Sequence, residues 1–199
     1  MLYLQCQMKG RKTRKTRKAT AMMKNDYKVR AFNFFKSLYP YIEECLDDPY
    51  TCVDAVENFN EEKHRKVDIA WGSVRVAFIS SDYVVKYDYD EDDAKRYGGC
   101  KDEEEFYSFA KEKGFENLFA EISSFEYMGR TFYVMPRVNR RASQECQRAE
   151  YYLDGEEREF VDNYLYDLHD ENFGWKNNHL VIFDYAFNVF MEQRNYNGR

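Results

Sequence analysis

Between Tyr27 and Cys45 the apolar residues fall at Val29, Phe32, Phe35, Leu38, Tyr39, Ile42 and Cys45. Steps of three and four place them on one face of a helix, despite Pro40 near its end. Asp48-Pro49 reads as a turn and Val53 to Phe59 as a second short helix. From Val67 the texture changes. Val74 to Ile79 and Tyr83 to Tyr87 are short runs rich in β-branched and aromatic residues around the turn Ser80-Ser81-Asp82, which predicts an antiparallel hairpin. An acidic loop (Asp88 to Asp93) and Gly98-Gly99 lead into a helical pattern from Cys100 to Lys113. A second hairpin pairs Ile122–Phe125 with Thr131–Met135, and Pro136 stops it. A polar loop (Arg137 to Glu150), a helix (Glu156 to Tyr166) and a short buried strand (Leu180 to Phe183) complete an α+β order.

Composition narrows the class. The 199 residues are enough for one domain with a real core, and 18 Tyr with 16 Phe argue against a disordered chain. No apolar run approaches the roughly 20 residues needed to cross a bilayer. The opening MLYLQCQM is too short and polar for a signal-peptide core, so the expectation is a cytoplasmic protein with no membrane partner. The five cysteines are widely spaced, and neither they nor the three histidines show zinc-ligand spacing. They read as reduced thiols packed as small hydrophobes.

The net charge of −6 is unevenly spread. Residues 1–24 hold eight of the 30 Lys/Arg and no acid, leaving 22 basic against 36 acidic residues in the rest. A globule that acidic is a poor general binder of nucleic acid, which any such contact would have to make through residues 1–24. Their KTRKTRK stretch has no hydrophobic period and reads as a basic, disordered arm, and Met22-Met23 offers a later translation start.

The densest chemistry lies in Tyr166-Asp167-Leu168-His169-Asp170-Glu171-Asn172, followed by Leu180-Val181-Ile182-Phe183-Asp184-Tyr185-Ala186. A carboxylate and an amide oxygen five residues apart, with a second carboxylate at a strand end, suit a hard cation such as magnesium. The acid left over can accept a proton from a hydroxyl. The competing reading is an ordinary surface loop or a metal-hydrolase fragment, for which no second histidine cluster exists.

This segment resembles the catalytic loop and metal-binding strand of the protein kinase-like superfamily, in particular aminoglycoside phosphotransferase-like kinases and small bacteriophage kinase-like proteins. The resemblance implies a minimal two-lobed fold with an antiparallel N-lobe sheet and a truncated helical C-lobe. It implies ATP and Mg2+ (or Mn2+) as cofactors, a hydroxyl-bearing substrate, and, for a phage protein, the host cytoplasm. Asp167 becomes the catalytic base, with Asn172 and Asp184 on the metal. Lys86, closing Tyr83-Val84-Val85-Lys86, is similar to the lysine that pairs the α- and β-phosphates. Tyr133 to Val138, including Met135 and Arg137, looks like the linker that meets the adenine, and Gly72 lies in what would be the phosphate-covering flap.

The acidic partner of Lys86 should face inward on the next helix. Positions three behind, four ahead and seven ahead of Glu103 are Cys100, Tyr107 and Ala110, all apolar, whereas the same offsets from Glu104 are polar and those from Glu105 mixed. Helical geometry selects Glu103, the alternative being that all three glutamates form a solvated face.

The expected division is an arm at 1–24, a helical extension at 25–66, an N-lobe at 67–138 and a reduced C-lobe at 139–199. Three departures from the family pattern stand out. The flap has one glycine, Leu165-Tyr166 replaces the usual His-Arg, and only 15 residues follow Asp184. The helices before residue 67 are expected to replace packing that the missing C-terminal helices would give. The sequence therefore supports an active phosphotransferase, a pseudokinase or nucleotide-binding module with little turnover, or a nucleic-acid-associated protein acting through its arm.

Overall fold

A computed structural model describes residues 26–139, 153–166, 168–176 and 179–197. Two helices come first, α1 (Tyr27–Ile42) and α2 (Cys52–Lys63). Asp26 caps α1 by accepting from the Lys28 amide at 3.0 Å, which satisfies one of the helix's orphan donors. Its apolar stripe is Ala31, Phe34, Phe35, Leu38, Tyr39 and Ile42, all buried. The helix stops at Ile42, short of the expected Cys45, and the chain passes into turns. From the last turn of α2, the Asn60 side chain donates to the Val67 carbonyl and accepts from its amide, both at 2.9 Å, pinning the start of the sheet.

Five strands follow, β1 (Asp68–Trp71), β2 (Arg75–Ile79), β3 (Tyr83–Asp88), β4 (Ser123–Tyr127) and β5 (Arg130–Pro136). They form one antiparallel sheet in the order β1-β2-β3-β5-β4. Between β3 and β4 lie α3 (Glu91–Tyr97) and α4 (Cys100–Lys113). The remaining elements are α5 (Gly155–Tyr164), the hairpin β6 (Phe173–Lys176) and β7 (His179–Ile182), and α6 (Val189–Asn197). The architecture is α+β and is consistent with the small kinase-like fold that the sequence motif implies.

Strand alternation gives the sheet two chemically distinct faces. Val76, Phe78, Val85, Phe132 and Val134 point to one side and share a core with α1 and α2. Phe35 is its centre, fully buried with its ring centroid 4.3 Å from that of Phe132. Tyr133 and Met135 point to the other side, where Phe106 of α4 gathers with Phe119, Phe160, Ile182 and Tyr185. Helices α1 and α2 thus pack on the five-stranded sheet, and the expectation that they replace C-terminal helices is corrected. The apolar stripe of α1 matches the apolar face of the sheet and is used up there.

Other local readings also differ. Asp88 to Asp93 is not all loop. Asp90 caps α3 by accepting from the Asp93 amide at 2.9 Å, and Glu91, Asp92 and Asp93 fill the first turn, where the helix dipole favours acids. Residues 173–176, for which the sequence pattern predicts no element, pair with β7. The polar loop at 140–150 and the arm at 1–24 lie outside the described residues. Among those described, Cys45, Cys52 and Cys100 are free thiols, and no helix is long and apolar enough to cross a membrane.

Because Phe35 fills the seam between α1 and the sheet, Phe35→Ala should cost about 3–5 kcal/mol of unfolding free energy. Urea denaturation followed by circular dichroism measures this, and a loss below about 1 kcal/mol would place the core elsewhere.

Candidate functional site

The sheet register decides which side chains meet. Lys86 lies opposite Ala77 on β2 and Tyr133 on β5, while Asp88 lies opposite Arg75. Opposed residues of an antiparallel pair share a face, so Arg75, Lys86 and Asp88 all point toward α4. Asp88 accepts from the Cys100 amide at 2.8 Å and fastens the start of α4 to the end of β3. Within the helix, the Asp102 carboxylate accepts from the Gly99 amide at 2.8 Å. One turn from that fastening, Glu103 turns inward and is fully buried.

Glu103 meets two cations there. Lys86, itself buried, places Nζ 2.8 Å from Oε2 and 3.0 Å from Oε1, and it also donates to the Phe183 carbonyl at 3.2 Å. The Arg75 guanidinium forks between two segments, with Nη1 2.7 Å from Glu103 Oε1 and Nη2 2.8 Å from Asp184 Oδ1. Two cations and two carboxylates from β2, β3, α4 and the chain after β7 therefore form one connected cluster.

Burial opposes ionisation at both acids. At Glu103 it raises the pKa from its ordinary value, against the pull of Lys86 and Arg75. At Asp184, which keeps 42% of its side-chain surface, Arg75 and then Lys86 outweigh burial and hold the carboxyl at about 2. Asp184 is therefore an anion at neutral pH.

The segment carrying Asp184 is anchored from several sides. The Tyr185 hydroxyl donates to the Ala120 carbonyl at 2.6 Å. The fully buried Asn188 amide donates to Asp102 O at 3.1 Å and Tyr185 O at 2.8 Å. Gly98, at φ +91°, lies so close to Ala186 that an added Cβ would sit 2.5 Å from its carbonyl oxygen, so only glycine fits. Pairing of Phe173 with Ile182 and a 2.9 Å bond from the Phe183 amide to the Asn172 carbonyl set Asn172 at the same end of the β6–β7 hairpin as Asp184.

Lys86, Glu103, Asp184 and the Asn172 backbone are thus brought together. Asp167 lies outside the described residues. Its neighbour Leu165 bridges to Asn188, and the Tyr166 amide donates to Phe187 O at 3.1 Å. Gly72 is exposed in the tight β1–β2 turn. Met135 is buried within the β3–β5 ladder. Arg137 binds the β2–β3 turn, with Nη1 2.8 Å from Ser80 O. Neither Met135 nor Arg137 contacts the charged cluster through any of these bonds.

Sequence reasoning missed Arg75 and Asn188. Arg75 was accessible in principle, since folding the hairpin about Ser80–Asp82 puts it on the Lys86 side. Asn188 carries no local signal, because its partners are 86 and three residues away.

An oxygen-seeking cation suits the donors present. Magnesium takes one or two protein carboxylates and completes its shell with phosphate and water. An anionic Asp184 and the amide of Asn172 are donors of that kind. Among the described residues no three His, Cys, Asp or Glu gather as a metal centre. A separate cavity of about 290 Å3, lined in part by Tyr87, Lys95, Lys101 and Arg130, excludes Lys86, Glu103 and Asp184 from its walls.

No protein-family model and no curated protein matches the chain. Among solved structures it is similar to the Legionella pneumophila Lpg2603 kinase bound to IP6, at 15% identity and a TM-score of 0.39, covering 61% of this chain and 47% of that one. The chain thus spans about half the length of that kinase, and a likeness this distant decides nothing about its chemistry.

Removing one partner from a buried ion pair strands the other, so Glu103→Gln should lower stability by about 3–5 kcal/mol. The exposed Glu105→Gln on the same helix should stay within about 0.5 kcal/mol of wild type. Parallel urea titrations compare them, and equal effects would mean that Glu103 is not the buried partner.

Proposed function

We propose that this chain is an ATP- and divalent-metal-dependent phosphotransferase that moves the γ-phosphoryl group to a hydroxyl acceptor. One observation carries the reading. The buried Lys86–Glu103 pair also holds the backbone of the residue preceding Asp184, so a strand lysine, a helix glutamate and a strand-end aspartate meet at one place.

In this reading Lys86, oriented by Glu103, binds the α- and β-phosphates as a fixed point charge. Asp184 and Asn172 hold the divalent cation, which supplies neutralisation of phosphate charge. Asp167 accepts the proton of the acceptor hydroxyl, whose oxygen forms the new bond to phosphorus while the bond to the β-phosphate oxygen breaks and ADP leaves. Met135 and Arg137 belong to the segment that meets the base, and residues 67–138 and 139–199 act as the two lobes. Such catalysis works by positioning and charge neutralisation more than by covalent chemistry.

A second reading, a nucleotide-binding module with little turnover, is favoured by the ion pair that holds Asp184 on Arg75 and by the tight β1–β2 turn.

Incubation with labelled ATP and magnesium separates the two. Wild type should consume ATP, and Asp167→Asn and Asp184→Asn should each reduce the rate by at least about 100-fold. A wild type whose melting temperature rises with ATP and magnesium, yet which consumes none, would establish the second reading.

A further inference from the structure

We propose that Arg75 is a phosphate-binding residue that takes over the work of the missing glycine-rich flap, with its guanidinium passing from Asp184 to the triphosphate when nucleotide binds. This rests on the reading of the site as one for a triphosphate.

The turn joining β1 to β2 is very short. Trp71 pairs with Val76, and the Gly72 amide donates to the Arg75 carbonyl at 2.9 Å, leaving Ser73 and Val74 at the tip. The Tyr89 hydroxyl lies 2.7 Å from the carbonyl oxygens of both Gly72 and Ser73, which holds the turn from beneath. A connection of that length, tethered in that way, has little backbone to wrap around a chain of phosphates. Arg75 is the residue where this turn becomes strand, and it faces the same side as Lys86.

Its side chain suits the task. Arginine stays charged, and its planar fork can hold a carboxylate with one edge and a phosphate oxygen with the other. The Nη1 edge on Glu103 lies in the buried interior, whereas Asp184 keeps 42% of its side-chain surface. The outer contact is therefore the one that can be exchanged. Charge counting points the same way. Lys86 and Arg75 balance Glu103 and Asp184, and Asp88 on the same face adds a further carboxyl, so the cluster offers an incoming triphosphate no spare positive charge. Asp184 is also the carboxylate that would hold a divalent cation, and in that state the Nη2 edge of Arg75 would be free to face the phosphates while Nη1 keeps its place on Glu103.

Calorimetric titration of the full chain with ATP and with adenosine, each with magnesium, tests this. A lost charge-assisted bond should weaken ATP binding by Arg75→Met about 10- to 100-fold, with adenosine within about twofold of wild type. Arg75→Lys, which keeps the charge and loses the fork, should fall between. Should Arg75→Met fail to fold, Arg75→Lys decides, and an unchanged preference for ATP over adenosine overturns the inference. Equal weakening of both ligands would mean a structural role. Tighter ATP binding by Arg75→Met would make Arg75 only a lock on Asp184, and either result overturns it. If wild type binds ATP and Arg75→Met binds it equally well, this inference falls and the proposed function stands. If wild type binds neither ligand, both fall.

Discussion

A carboxylate with no exposed surface, Glu103, sets the terms for the rest of the structure. Left alone in an apolar interior, an ionised carboxylate costs far more than a small domain's whole stability, so it must be neutralised or paired. It is paired twice, with Lys86 and Arg75, and the pairing holds only if α4 lies across β2 and β3 at one height and one rotation. Asp88 and the cap at Gly99 supply that height. Arg75 then extends the pairing to Asp184, so packing a helix on a sheet also assembles four charged groups from distant parts of the chain.

The two hydrophobic cores have different consequences. The cluster of α1, α2 and the sheet contains no charged side chain and serves as a rigid backing. The cluster around Phe106 touches the charged groups and the anchors of the Asp184 segment, including Tyr185. Changes in the first core should act on stability, whereas changes in the second reach the geometry of the site as well. Lys86 joins the two regions, since its strand neighbours Val85 and Tyr87 belong to the first core while its own side chain faces the second.

Much of this was legible in the residues because it depends on short-range periodicity. The spacing of Cys100, Glu103, Tyr107 and Ala110 identified the buried face of α4 from one helix alone, and the β-branched and aromatic runs on either side of Ser80-Ser81-Asp82 forecast the β2–β3 hairpin. The failures have a common physical origin in partners that are distant in sequence or in competing local signals. Asp90 to Asp93 was read as loop because acids repel apolar packing, yet acids also cap helices. Residues 173–176 are short and contain glycine, and they become a strand only because β7 is there to pair with them. Arg75 stands inside the Val74–Ile79 run with no local feature to mark it, and its meaning appears only when Glu103 of α4 and Asp184 meet it.

The central claim is that Lys86, Glu103 and Asp184 enclose a triphosphate. A crystal structure of the full chain with a non-hydrolysable ATP analogue and magnesium tests it most directly. The account predicts the phosphates between the Lys86 ammonium and the Asp184 carboxylate, with the Lys86–Glu103 pair intact. A nucleotide bound instead in the cavity beside Tyr87 and Lys101, or anywhere else away from that pair, would contradict it.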